Sequence, residues 1–289
     1  MNKPEWFDHP IPQDPEFFRM KKRLRESGLH TICQEARCPN AGTCFGEETA
    51  TFLILGDTCT RKCGFCSVKK GTPLPPEQSE IDRILEMIEG LGLDYAVITS
   101  VTRDDLPDGG VGHYLKLLEG LRKRLPTLKI ETLIPDFLGK VENWQLLLSS
   151  PPDVLNHNIE SVRRLYPSIR RPDSQYSRSL EVLRYYSQQG LITKSGLMVG
   201  LGESREELVG AFEDLLSVGV RILTIGQYLQ ATTHNVPVSR FYTPQEFQDL
   251  ETEARRLGFS EVVSGPLVRS SFKAKEAYRK VASALSHLQ

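Results

Sequence analysis

The chain has 289 residues, 39% of them hydrophobic and 25% charged, with a formal net charge of −1. That balance fits a soluble, core-forming protein, gives no general drive toward nucleic acid or an anionic membrane, and leaves no stretch of the ~18 apolar residues that a membrane span needs. The start, Met1-Asn2-Lys3-Pro4-Glu5-Trp6-Phe7-Asp8, has no apolar core of a secretory signal, so a cytoplasmic location is expected. In that reducing compartment disulfides are disfavoured, and the six cysteines are better used as thiolate ligands.

In chain order, residues 1–30 read as an extension. Prolines at 4, 10, 12 and 15 argue against a long first helix, and helix is expected only from Pro15 to Ser27. Phe17, Phe18, Met20 and Leu24 form a partial apolar stripe there, while Lys21, Lys22, Arg23 and Arg25 make the segment basic. A solvated helix face explains that charge, and so does a docking surface for an acidic carrier protein. Residues 33–50 show no hydrophobic period and hold Pro39, Asn40, Gly42 and Gly46, so a loop is expected.

From residue 51 strand and helix alternate. Strands are expected over 51–56, 95–101, 128–133, 153–159, 193–199 and 221–229, and helices over 79–91, 110–124, 141–149, 174–189 and 204–218. Ile81, Ile84, Leu85 and Ile88 share one face of the first of these helices. Gly190 and Gly219 stop two others, and Ser204-Arg205-Glu206-Glu207 reads as a capping box. Six βα repeats predict parallel strands with right-handed crossovers. A closed TIM barrel needs eight, so the pattern leaves a partial barrel or a doubly wound open sheet. The expected division is an N-terminal extension over 1–50, a barrel over 51–235 and a C-terminal extension over 236–289.

The cysteines fall into two triplets, Cys33-x4-Cys38-x5-Cys44 and Cys59-x3-Cys63-x2-Cys66, with none left over. The second follows the strand Thr51-Phe52-Leu53-Ile54-Leu55-Gly56 and lies on the loop leaving its C-terminal end. Half a zinc ribbon would give three close cysteines too, but three thiolates do not close a tetrahedral zinc site, and neither triplet holds paired C-x2-C knuckles. Three thiolates can hold three irons of a [4Fe–4S] cubane and leave the fourth open to a small molecule. With Phe65 before the last cysteine, this motif resembles the radical SAM superfamily, whose open iron binds S-adenosylmethionine (SAM).

Both triplets in this order are a far narrower pattern, and the chain resembles the lipoyl synthase family. The resemblance runs from about Cys33 to Ser271. It includes Ala50–Asp57, Ile98-Thr99-Ser100-Val101-Thr102-Arg103-Asp104-Asp105, Asn156-His157-Asn158-Ile159-Glu160, Lys194–Glu203, Gly226-Gln227-Tyr228-Leu229-Gln230 and Gly265-Pro266-Leu267-Val268-Arg269-Ser270-Ser271-Phe272. It implies an α/β fold, an incomplete parallel (β/α)6 TIM-like barrel whose extensions carry an auxiliary cluster. It also implies a sulfurtransferase of lipoate biosynthesis that inserts two sulfur atoms at C6 and C8 of a protein-bound octanoyl-lysine. The implied cofactors are two [4Fe–4S] clusters and SAM. Cys59, Cys63 and Cys66 would hold the SAM-cleaving cluster, and Cys33, Cys38 and Cys44 the sulfide-donating one. The implied partners are octanoylated lipoyl carrier domains, of the 2-oxoacid dehydrogenase E2 kind or the glycine cleavage H protein, and an electron donor such as ferredoxin or flavodoxin. Neither nucleic acid nor a membrane is expected as a partner.

Ligands of parallel α/β folds gather at strand C-termini, where this sequence places its polar residues. Thr99, Glu131 and Asn158 suit the amino group or ribose hydroxyls of SAM. Arg171 suits its carboxylate, and Gly200-x-Gly202 suits close backbone approach to the adenine. Plain readings stand beside these: a tight turn for the glycines, a structural ion pair for Glu131, a satisfied buried imidazole for His157. The histidines at 9, 30, 113, 234 and 287 show no ligand spacing. From the resemblance, a serine of Arg269-Ser270-Ser271 is the fourth ligand of the auxiliary cluster, carried onto Ser271 with Ser270 as runner-up; the plain reading is a cap on the helix that follows. Phe272 replaces the tyrosine usual in the family, and Gln230-Ala231 replaces Gln-Pro. Two alternatives remain. One is another two-cluster radical SAM sulfur-inserting enzyme. The other is a two-cluster electron carrier, which would be expected to close each cubane with four cysteines.

Overall fold

The computed structural model describes residues 3–8, 14–46 and 50–286; His9, Pro10, Pro12 and His287 lie outside them. The chain forms two compact units, one of His9–Lys62 and Cys66–Asp153, the other of Met1–Asp8, Cys63–Phe65 and Val154–Gln289.

The first unit begins with helix α1 (Pro15–Glu26). Pro15 takes the first helical position, where no amide bond is lost, and the Asp14 carboxylate accepts from the Glu16 amide at 2.9 Å. Met20 and Leu24 are its buried face, whereas Phe18 is 56% exposed. The expected apolar stripe therefore divides between core and solvent. Next come β1 (His30–Thr31), α2 (Ile32–Glu35) and α3 (Ala41–Gly46), so residues 33–50 are not the plain loop expected. The Thr31 hydroxyl caps α2 by accepting from the Gln34 amide. The Cys44 amide donates to the Asn40 carbonyl. These local bonds make helical turns without a hydrophobic period.

The unit continues through β2 (Thr51–Ile54), β3 (Thr58–Cys59), β4 (Lys69–Lys70), α4 (Gln78–Gly90), β5 (Tyr95–Ser100), α5 (Val111–Arg124), β6 (Lys129–Leu133) and α6 (Val141–Leu147). Strand order is β1-β2-β5-β6, with β1 antiparallel to β2 and the other pairs parallel; β3 and β4 form a separate parallel pair. All of β2 and the middle of β5 are buried, as parallel strands covered on both faces require. Ile81, Ile84, Leu85 and Ile88 of α4 are buried as their spacing predicts.

The second unit holds β7 (Val154–Asn156), α7 (Ser174–Gln188), β8 (Ile192–Val199), α8 (Arg205–Ser217), β9 (Ile222–Gln227), α9 (Pro244–Leu257), β10 (Glu261–Gly265) and α10 (Ala274–Ser286). Its strands run β7-β8-β9-β10, all parallel. The capping box at Ser204 is present, and Gly190 and Gly219 take left-handed φ of +83° and +86° after their helices. The α9–β10 pair goes beyond the six expected repeats. Thr243 and Glu246 cap α9 reciprocally and Pro244 opens it; β10 then pairs with β9 from Glu261↔Ile222 to Gly265↔Gly226. Thus β2, β5 and β6 are linked in parallel in the first unit, and β7, β8, β9 and β10 in the second.

Candidate functional site

In the first unit, β2 stops at Ile54 because Leu55 enters the left-handed region at φ +68°, a conformation that costs about 1 kcal/mol or more for a residue with a Cβ. Its neighbours hold it there. The Leu55 amide donates to Glu80 Oε2 at 2.8 Å and the Gly56 amide to Glu80 Oε1 at 3.2 Å. The Leu55 carbonyl accepts from Nη1 of the buried Arg103 at 3.3 Å. His113 Nε2 lies 2.8 Å from Glu80 Oε2. Burial alone would raise the Glu80 carboxyl, but His113 and the two amides outweigh it and hold it below the usual range.

This turn leads to Cys59, and the loop beyond is stitched to the end of β5. The Thr60 amide and hydroxyl both donate to the Thr102 carbonyl, at 3.1 and 3.0 Å. Arg61 grips both Asp104 oxygens at 2.8 Å and reaches Asp136 Oδ1 at 2.5 Å. Burial would lower the Arg61 guanidinium, but the two carboxylates override it and keep it charged.

No disulfide joins the six cysteines, of which Cys33 is buried and the others are partly exposed. Burial pushes the Cys33 thiol up to about 11, opposed by hydrogen bonds from Thr51. The Cys38 amide donates to the Cys33 carbonyl at 2.9 Å. Ser67, next to Cys66, donates to the Glu35 carbonyl at 3.2 Å, which ties the chain after the second triplet to the loop of the first. Among the described residues no three His, Cys, Asp or Glu side chains stand together as a metal-holding group. The donor set itself, cysteines without disulfide partners, fits thiolate ligation of iron. Thr99 is buried and donates to the Leu133 carbonyl at 3.0 Å. Glu131 is fully buried and accepts from the Tyr95 hydroxyl at 2.8 Å.

In the second unit, the residue after Cys63 is fixed on both sides. The Gly64 amide donates to the Ile169 carbonyl at 2.7 Å, and its carbonyl accepts from the Val236 amide at 3.0 Å and Asn235 Nδ2 at 3.1 Å. Asn158 Nδ2 donates to Ser270 Oγ at 2.7 Å, while its buried Oδ1 has no donor. An orphaned buried acceptor fits an amino or hydroxyl group of a ligand. Glu160 follows at φ +66°, its amide on the Gly196 carbonyl at 3.1 Å and its carbonyl taking the Met198 amide at 2.9 Å. Burial raises its carboxyl, with the Arg171 charge and Asn158 opposing. Arg171 Nε donates to Gln175 at 2.9 Å and the guanidinium lies 5.0 Å from the Tyr166 ring. Among the described residues its Nη groups carry no hydrogen bond. His157 is the satisfied imidazole of the plain reading, with Nε2 3.0 Å from the Ser179 hydroxyl.

Gly200 and Gly202 take φ of +95° and +110°. The Glu203 carboxylate closes their turn by accepting from the Gly200 and Leu201 amides at 2.6 and 2.9 Å. A Cβ on Gly200 would lie 2.5 Å from the Arg240 carbonyl, so turn and packing both demand glycine there. Gln227 and Tyr228 have scaffold partners. Gln227 donates to the Tyr228 and Arg240 carbonyls and accepts from the Tyr242 amide, and the Tyr228 hydroxyl donates to the Val236 carbonyl. The tail motif lies close to β9, where a Cβ on Gly226 would sit 2.1 Å from the Val268 carbonyl. The Ser270 hydroxyl oxygen accepts from Asn158 Nδ2 and not from the helix after it. The Ser271 carbonyl accepts from the Ala274 amide at 3.3 Å, and among the described residues its hydroxyl makes no hydrogen bond.

Sequence reasoning overlooked Glu80 and Asp136, and it named Glu160 only as one polar residue of a strand-end motif. Glu80 reads only as a first-turn helix acid, and Asp136 stands in no motif. Glu160 closes a quoted motif, but nothing in its neighbours announces its left-handed backbone.

Comparison with known proteins matches residues 53–215 to the radical SAM superfamily, and residues 1–38 to the N-terminal domain of lipoyl synthase of that family. Similar proteins include the lipoyl synthase of Methylococcus capsulatus, 50% identical over 279 residues that cover 96% of this chain and 86% of that one. The lipoyl synthase of Rubrobacter xylanophilus is 48% identical over 276 residues, covering 95% and 86%. Among solved structures, Streptococcus suis SuiB bound to S-adenosylmethionine aligns over 85% of this chain with a TM-score of 0.58 at 14% identity, and the chain spans 59% of that longer protein. That likeness is one of fold alone, an α/β architecture with an open parallel sheet.

Proposed function

Because the chain belongs to the lipoyl synthase family of the radical SAM superfamily, whose members are sulfur-inserting enzymes, we propose that it converts a protein-bound octanoyl-lysine to lipoyl-lysine by inserting sulfur at C6 and C8. The ligands assigned to the SAM-binding [4Fe–4S] cluster are Cys59, Cys63 and Cys66. Those assigned to the auxiliary cluster are Cys33, Cys38 and Cys44, with Ser271 as its labile oxygen ligand. When bound, these groups supply the electron that opens SAM and the sulfur that is inserted.

The chain's own residues bind and orient. Arg61, held by Asp104 and Asp136, fixes the loop between Cys59 and Cys63. Ser270 holds the Asn158 amide nitrogen, which leaves the orphaned Oδ1 to accept from the amino group or a ribose hydroxyl of SAM. Thr99 and Glu131 accept in the same way, and the Nη groups of Arg171 are the donors for the carboxylate. The turn at Gly200 and Gly202 borders the adenine. The substrates are octanoylated lipoyl carrier domains, of E2 or H-protein type, and the electron comes from a ferredoxin or flavodoxin. The reaction belongs to lipoate biosynthesis in the cytoplasm. No helix of the described residues is long and apolar enough to cross a membrane.

The observation that carries this reading is the pair of cysteine triplets in a chain that matches lipoyl synthases over 95% of its length. The test is mass analysis of an octanoylated carrier incubated with the protein, SAM and a reductant. The expected product carries two added sulfur atoms. An unchanged carrier, with both clusters loaded, would favour the electron-carrier alternative.

A further inference from the structure

Helix α1 turns to solvent a face that the proposed chemistry leaves unused. Phe18, Lys21, Lys22 and Arg25 stand at i, i+3, i+4 and i+7, so they form one stripe, and all four are exposed. The helix carries five cations, Arg19, Lys21, Lys22, Arg23 and Arg25, against two carboxylates, Glu16 and Glu26, in a chain whose net charge is −1. Arg19 is taken by Glu16 and Arg23 by the Gly90 carbonyl. The stripe is less committed. Lys22 reaches Glu26 only at 3.8 Å, Lys21 rests 6.0 Å from the Phe17 ring, and Arg25 has no side-chain partner among the described residues. The exposed Phe18 ring, edge-on to Phe17 with centroids 5.2 Å apart, stands amid loosely paired cations. It has the composition of a docking surface, where an aromatic anchor supplies affinity and surrounding charge supplies steering.

The inner side of the same helix lies against the auxiliary cysteine segment. Phe17 stacks on Phe45 with ring centroids 6.0 Å apart, and Phe45, the neighbour of Cys44, is buried. We propose that the Phe18–Lys21–Lys22–Arg25 stripe is the docking surface for the octanoylated carrier protein, engaged through an acidic face of that partner. The inference rests on the reading of this chain as an enzyme of carrier-bound octanoyl groups. An electron donor is also a protein, but its electron is needed at the cluster on Cys59, Cys63 and Cys66. A carrier held on α1 brings its acyl chain to the helix whose Phe17 stacks on Phe45, the neighbour of Cys44, one of the three cysteines assigned to the sulfur-donating cluster.

The test is direct binding of an octanoylated carrier to the cluster-reconstituted full chain at low and high salt, alongside turnover of a short octanoyl-lysyl peptide. The triple variant Lys21→Glu/Lys22→Glu/Arg25→Glu is expected to weaken carrier binding by about tenfold or more and to flatten its salt dependence. Iron content, melting temperature and peptide turnover should stay as in the wild type. Phe18→Ala should weaken carrier binding several-fold, and Lys21→Arg/Lys22→Arg should retain it. An unchanged carrier affinity in the triple variant overturns the proposal. So does an equal loss with carrier and peptide, or a shift confined to the concentration of electron donor required. A chain that loses carrier binding in the triple variant, but makes no lipoyl group in the wild type, would keep the docking surface and sink the activity.

Discussion

Arg61 and Asp136 meet at 2.5 Å across 75 residues of chain, and Asp136 is only 4% exposed in its side chain. The same guanidinium holds Asp104 with two parallel bonds, so a residue between the motif cysteines Cys59 and Cys63 is gripped from two directions. Removing one partner of a buried, hydrogen-bonded charge strands the other, at a cost of about 3 kcal/mol. Arg61→Ala is therefore expected to lower the melting temperature and, because the cysteine loop loses its tether, to lower iron retention and SAM cleavage together. Arg61→Lys keeps the charge but not the planar fork and should fall between. Iron per chain and 5′-deoxyadenosine formed, measured on both variants, check this. Full iron and wild-type cleavage in Arg61→Ala would show that the loop needs no such clamp.

Glu80 gives a pH-dependent prediction. Its folded pKa lies below the ordinary carboxylate value, since His113 and the Leu55 and Gly56 amides outweigh burial. The stability it contributes is fully present above the unfolded value of about 4.3 and is lost as pH falls through the folded value. Glu80→Gln should cost about 1–3 kcal/mol at neutral pH, where it leaves buried donors poorly matched. The gap in melting temperature between wild type and variant should stay constant above about pH 5.5 and close on acidification below the unfolded pKa. A gap that widens toward acid would contradict the assigned direction.

Most strands and helices of residues 51–227 were legible because their apolar runs and stops are local signals, but the two-residue β3 and β4 were not, and the strand expected over 153–159 is found only at Val154–Asn156. Ser204, Gly190 and Gly219 read correctly from chain neighbours alone. The α9–β10 pair carried the same kind of signal, in Thr243-Pro244-Gln245-Glu246 and in Gly258, but lay outside the six repeats counted. The site was legible only in part. Residue types place Thr99 and Asn158 near strand ends, as β5 and β7 have them, but Glu131, expected at a strand end, lies in the middle of β6, and nothing local tells that Glu131 meets Tyr95 or that Asn158 meets Ser270, 112 residues away. Those pairings depend on which strands become neighbours, and that is a property of the folded sheet.

The two triplets should separate by function. Cys63→Ala leaves two thiolates where three are assigned and should abolish SAM cleavage. Cys38→Ala should leave the second triplet intact, with some SAM cleavage but no sulfur insertion. The measurements are 5′-deoxyadenosine and lipoyl product per enzyme. Wild-type 5′-deoxyadenosine from Cys63→Ala, or normal lipoyl product from Cys38→Ala, would reassign the triplet concerned.

The paired serines of the tail have different surroundings, and that difference makes a prediction. Ser270 accepts from Asn158 Nδ2 at 2.7 Å, whereas the Ser271 hydroxyl has no hydrogen bond among the described residues. Ser270 is thus committed to the scaffold, and Ser271 has an oxygen to give to iron. An oxygen ligand on otherwise thiolate-bound iron is the hard, weak member of its set. Ser271→Cys replaces it with a softer, tighter ligand, so this variant should keep full iron and cleave SAM but form little or no lipoyl product. Ser270→Ala should act through Asn158. With its amide nitrogen deprived of the Ser270 oxygen, at a cost of about 1 kcal/mol or more, Asn158 is held less firmly, and the apparent affinity for SAM should fall several-fold while iron content stays full. Product, iron and the SAM concentration dependence therefore distinguish the two serines, where product alone would not. If Ser271→Cys makes lipoyl product normally, while Ser270→Cys loses product with no change in its SAM dependence, the iron ligand is Ser270.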